Sequence, residues 1–167
     1  MRTPIVILCL ALFICGCAST SVVTDTTKIA VTPSKPSTTL TQEQEWKLMT
    51  GKWYGSQPTK DGGTKQEIVE RTGQGAYKVV FRIKGNDGSV EEHTEAGNWG
   101  VSGPVYFTIF RGYIEGTKFT PVDPSDPYNY DAYRIVQLSD EAFEYEHFTS
   151  GNKYTLKRVS SNFEFPQ

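Results

Sequence analysis

His93 and His147 are the only histidines in the 167-residue chain, and each stands among carboxylates. In "SVEEHTEAG" the residues Glu91, His93 and Glu95 are two apart, so on a strand they share a face and could hold zinc between them. The same spacing describes a solvated strand face, and no further ligand stands beside them. His147, flanked by Glu144 and Glu146, would serve in catalysis only if it lined a cleft. Asp123, Asp126 and Asp131 offer oxygens to calcium, yet their spacing lacks the glycine and closing glutamate of an EF-hand loop. Nucleophilic hydrolysis has no Gly-x-Ser-x-Gly elbow to rest on, and the 19 acidic residues form carboxylate pairs only in undistinguished contexts. The residue types therefore predict no metal site, no cofactor and no enzyme.

The three cysteines, Cys9, Cys15 and Cys17, lie in or just after the apolar stretch "IVILCLALFICGCAST", Ile5 to Thr20. From Ile5 to Cys15 it supplies eleven residues before Gly16, whereas a spanning helix needs about 20. It carries no polar stripe of the kind an amphipathic core helix would show. A basic start, a short apolar run and then small residues form the pattern of a secretion signal. Ile14-Cys15-Gly16-Cys17 resembles the lipobox of bacterial lipoproteins. That resemblance implies a signal at 1–16, cleavage before Cys17, and acyl chains such as palmitate on the Cys17 thiol and new amino terminus. Two or more chains hold a protein on a bilayer stably. Ala18 rather than Asp after the cysteine leans, in that family, toward the inner leaflet of the outer membrane. A soluble secretory signal cut elsewhere is the alternative.

Processing at that point leaves residues 17–167, enough for one domain, with no second cysteine to form a disulfide. Loss of Arg2 leaves 16 basic against 19 acidic residues, a net charge near minus three. That balance argues against nucleic acid, which asks for a basic stripe. The anchor itself is then the membrane contact. Residues 17–40 are rich in Thr and Ser, with Pro33, Pro36 and no aromatic side chain. Such a segment cannot bury enough surface to order itself and predicts a tether, with docking through Val22, Val23, Ile29 and Val31 as the alternative.

Residues 41–167 read as the folded part. Thr41-Gln42-Glu43-Gln44 fits a capping box, so a short helix is expected from Gln42 to Met49, stopped by Gly51. Past Gly51 the apolar period drops to two. In "AYKVVFRIK" Tyr77, Val79, Phe81 and Ile83 alternate with polar neighbours. Similar runs at 51–57, 65–72, 89–99, 105–114, 131–138, 142–149 and 153–159 make eight strands in all, separated by turn-forming residues. Sequential antiparallel strands without intervening helices close most economically into an all-β, eight-stranded up-and-down barrel, which has no open edge.

"LMTGKWYG", with Gly51 and Trp53 preceded by a short helix, resembles the first-strand motif of lipocalins. "EAGNWGVSGPVYFT" and the closing "YRIVQLSDEAFEYEH" are similar to small lipocalin-like domains of bacterial lipoproteins. The second lipocalin motif, Thr-Asp-Tyr, is absent as such. The resemblance implies that Arg158, near the end of the last strand, packs across Trp53.

Apolar alternation aims Tyr77, Val79, Phe81, Phe107, Ile109, Tyr133, Ile135, Phe143, Tyr145, His147 and Tyr154 into the barrel. An interior of that size either fills with side chains or holds one small ligand. The strand "VYFTIFRGYI" is apolar on both faces and predicts a cover for its outer side, the Trp46–Met49 helix or a protein partner. Glu115 to Tyr130, with three prolines and no strand pattern, predicts a long loop that would act as a lid, with Tyr128 and Tyr130 near the entrance. The leading expectation is a lipid-anchored, periplasm-facing protein that binds a small hydrophobic or amphipathic molecule. The alternative is an envelope protein with a solid barrel that binds another protein or the cell wall.

Overall fold

The computed structural model describes residues 40–166. The expected signal at 1–16, the expected acylation site Cys17 and the expected tether, as far as residue 39, lie outside them. Among the described residues, no helix is long and apolar enough to cross a membrane.

Helix α1 spans Gln42–Met49, with both halves of the capping box formed: Gln44 N donates to Thr41 Oγ1 and Thr41 N to Gln44 Oε1. The strands follow as β1 (Gly51–Pro58), β2 (Thr64–Arg71), β3 (Ala76–Lys84), β4 (Val90–Ser102), β5 (Val105–Glu115), β6 (Lys118–Pro121), β7 (Tyr130–Leu138), β8 (Ala142–His147) and β9 (Lys153–Arg158). Every pairing is antiparallel. The order β1-β2-β3-β4-β5-β7-β8-β9 returns to β1, because β4 also pairs with β5 and β9 with β1. This is a closed eight-stranded barrel. The remaining strand, β6, pairs with β5 alone and extends it as an outlying hairpin.

Glycine enters where another backbone comes too near. The β4–β5 register shifts between Ala96 and Gly97, and a Cβ on Gly97 would lie 2.1 Å from the Ile109 carbonyl. Only glycine permits that approach.

One end of the barrel is solid. Met49, Trp53, Phe143 and Leu156 are fully buried there, joined by Val101, Ile135 and Leu138. Helix α1 plugs this end. Trp46 stacks on Trp99 at 4.3 Å, and its Nε1 donates to Gly73 O in the β2–β3 turn. Trp53 Nε1 donates to Met49 O and Trp99 Nε1 to Thr72 O, so each indole N–H finds a backbone carbonyl when buried.

Three expectations change. Helix α1 does not cover the outer face of β5; it packs from the end against β4 and β7, because Trp46 and Met49 are drawn to the plug. The phase of β5 is inverted: Tyr106, Thr108 and Phe110 face inward, while Phe107 and Ile109 face outward. Phe107 lies across the strand pair from Gly100, its ring occupying the space a Cβ there would need. The segment Glu115 to Tyr130 is not strandless, for it contains β6 and a single 3₁₀ turn, Pro127–Asn129, capped by Asp126.

The outer face of β1–β3 does have a cover. The chain after β9 folds back so that Phe163 and Phe165 pack on Tyr54 at 5.1 and 6.4 Å. Lys52 Nζ donates to Ser161 O and Phe163 O at 3.0 and 2.7 Å, which holds the tail down. Tyr54 and Ile68 are buried beneath it although their side chains point away from the interior.

Candidate functional site: a polar cavity in the barrel

Beyond the solid floor, toward the end opposite α1, the barrel encloses a cavity of about 280 Å³. That is near the lower bound for small-molecule pockets. Its aromatic wall comes from β3, β5, β7, β8 and β9. Tyr106 stacks on Tyr133 at 5.3 Å, Tyr145 on Tyr154 at 5.0 Å, and Tyr133 meets Tyr145 edge-on at 5.1 Å. Tyr77 completes the wall from β3. Burial pushes the phenols of Tyr133 and Tyr77 above their ordinary value, reinforced by Asp131 for the first and Glu95 for the second. They stay neutral hydroxyls, able both to donate and to accept.

The opposite wall is charged. Strand β2 alternates so that Lys65, Glu67, Val69 and Arg71 point inward. Arg71 is only 2 % exposed. Its Nε and Nη2 donate to the Tyr106 hydroxyl at 3.3 and 2.9 Å, and its plane lies over the Tyr106 and Phe143 rings at 4.9 and 5.3 Å. Nη1 is buried without a hydrogen-bond partner. Burial raises the pKa of Glu67, against the opposing pull of Lys65 and Arg71.

Histidines mark the mouth. His93 Nε2 lies 3.2 Å from Glu95 Oε1, and the imidazole tilts on Phe81 at 5.1 Å. Lys65 Nζ sits 4.2 Å from the centre of the same Phe81 ring. His147 Nε2 lies 3.1 Å from Asp131 Oδ1, while Ser150 N donates to His147 Nδ1 at 3.0 Å. That amide makes Nδ1 the acceptor and Nε2–H the donor to Asp131. Among the described residues, no three metal-ligating side chains converge.

The residues expected to bind ligand divide by depth. Tyr77, Val79, Phe81, Tyr133, Tyr145 and Tyr154 line the cavity. Ile135 and Phe143 are buried in the packed interior, and His147 stands at the rim, edge-on to Tyr133 at 5.2 Å. Phe107 and Ile109 do not reach the cavity, being on the outside of β5. Tyr128 and Tyr130 form no lid, for neither lines the cavity. Tyr128 is 90 % exposed, and the Tyr130 hydroxyl, at the start of β7, donates to Pro124 O in the preceding loop. Arg158 lies with its guanidinium 4.3 Å from the Trp53 ring. Lys65, Glu67, Arg71, Tyr106, Thr108, Phe110, Glu95 and Asp131 line the cavity without having been expected there. The available signal was parity: Arg71 is in phase with Val69 and pairs with Tyr77 across β3.

No family model and no curated protein matches the chain. Among solved structures it is similar to a lipocalin-like protein from Bacteroides uniformis, at 17 % identity and a TM-score of 0.42, covering 67 % of this chain and 99 % of that one.

Proposed function

We propose that this is a non-enzymatic binding protein that holds a small amphipathic molecule in its barrel and is fastened by acyl chains on Cys17 to the outer membrane, facing the periplasm. The observation that carries the reading is the hollow half of the barrel, where tyrosine hydroxyls and charged groups stand in place of close-packed aliphatic side chains. A solid barrel would have filled that space. Asp131, His147 and Ser150 have the composition of a hydrolase triad, and His147 Nδ1 lies 3.0 Å from both the Ser150 hydroxyl and the Ser150 amide, but the serine is in an exposed turn and neither it nor His147 lines the cavity. A lone pair shared between that hydroxyl and that amide, in a solvent-exposed turn outside the cavity, favours binding over catalysis.

Thermal unfolding of the purified chain with a panel of small amphipathic compounds tests the binding. A ligand at one hundred times its dissociation constant adds about 2.7 kcal/mol of stability; a panel without any shift would favour the envelope-interaction alternative. The anchor is tested by the intact mass of the native protein and of Cys17→Ser, and equal lipid-free masses would remove it.

A further inference from the structure

Arg71 sits at the cavity floor as a buried cation whose hydrogen bonds are incomplete. Nε and Nη2 share one acceptor, the Tyr106 hydroxyl, and Nη1 has none. A buried donor that has given up water without gaining a partner is costly, and native proteins keep few of them.

The carboxyls of the cavity do not pair with Nη1. Glu95 and Asp131 engage His93 and His147 at the mouth. Glu67 shares the inward face of β2, but it makes no ion pair with Arg71, and burial favours its neutral acid. The Tyr106 hydroxyl accepts twice from Arg71, which leaves its own proton to donate.

We propose that the cavity takes a compact organic carboxylate, its head on Arg71 and Tyr106 and its apolar body against Tyr133, Tyr145 and Tyr154. This rests on the reading that the cavity binds a small molecule, and it names the chemical class. Size limits the body. The 280 Å³ are room for about nine waters at ~30 Å³ each, which suits a molecule of about a dozen heavy atoms and is too little to hold a whole long-chain lipid. A carboxylate on a guanidinium and a hydroxyl makes charge-assisted hydrogen bonds, stronger than those an alcohol makes at the same place.

Titration calorimetry of the purified chain tests this with benzoate, 3-phenylpropionate and octanoate, each beside its neutral alcohol, and with palmitate. The expected result is at least tenfold tighter binding of the fitting acids than of their alcohols, with palmitate weaker than octanoate. Arg71→Met keeps the volume and removes the charge; Tyr106→Phe keeps the ring and removes the hydroxyl. Each should erase the preference for acid over alcohol, and Tyr106→Phe carries the comparison if Arg71→Met does not fold. Equal binding of acids and alcohols by the wild-type chain, or a preference that survives both variants, overturns the proposal and leaves the cavity reading standing. Binding of neither acids nor alcohols sinks both.

Discussion

The Arg158 guanidinium lies 4.3 Å from the Trp53 ring while donating to three backbone carbonyls, those of Asp140, Thr50 and Leu48. Trp53 and Arg158 are direct partners in the β1–β9 register. One planar cation thus ties the strands that close the barrel to the end of helix α1 and to the β7–β8 turn.

Arg158→Ala should lower stability by about 2–4 kcal/mol, combining ~1 kcal/mol for each hydrogen bond with a cation–π contribution of similar size. Arg158→Lys should recover only a minor part, since a single ammonium cannot serve carbonyls in three directions and stack as well. Urea unfolding midpoints of the two variants decide this. Equal stability of the lysine variant and the wild type would contradict the geometry.

Ending the chain at Val159 should uncover Tyr54 and Ile68 and strand the Lys52 ammonium. At ~25 cal/mol per Å² of apolar surface the loss should be about 2–3 kcal/mol. Because the tail packs outside the barrel, ligand titrations should be unaffected. Calorimetric scans of the two chains measure the first effect and titration the second.

Neighbouring substitutions on β5 separate the two faces. Phe107→Ser should cost about 0.5–1 kcal/mol of cross-strand contact and leave ligand affinity unchanged. Thr108→Trp, one residue on, should fill the cavity and abolish binding. If Phe107→Ser weakens binding instead, the inward phase of β5 is misassigned.

Glu67 gives a pH signature. Its folded-state pKa is raised above the ordinary 4.5 by burial, so between those two values the folded protein holds more protons than the unfolded chain. Stability should therefore fall as pH rises through that window. Glu67→Gln should flatten the decline. Chemical denaturation from pH 4 upward shows it, and parallel curves for variant and wild type would exclude Glu67 as the source.

The barrel was legible because period-two alternation survives wherever one strand face is dry, as in Tyr77, Val79 and Phe81 of β3. The helix was legible because Thr41 and Gln44 satisfy amides that nothing else at a helix start can. Strand β5 misled because Val105 to Phe110 is apolar on both faces apart from Thr108, and alternation without contrast has no phase. The polar lining was hidden for the opposite reason. On β2 the charged Lys65, Glu67 and Arg71 point inward while Ile68 points outward, an arrangement possible only because a distant tail covers Ile68 and tyrosines receive Arg71. The strand β6 is exposed along its whole length, so no hydrophobic pattern announces it.

The plug formed by α1 also fixes where the barrel can be pulled. The chain enters through Leu40 beside Leu138 and Arg158, at the sealed pole, so any leash on its amino-terminal side tugs at that pole. The opening between His93 and Asp131 lies at the far pole, so the proposed ligand would come and go without crossing the proposed point of attachment.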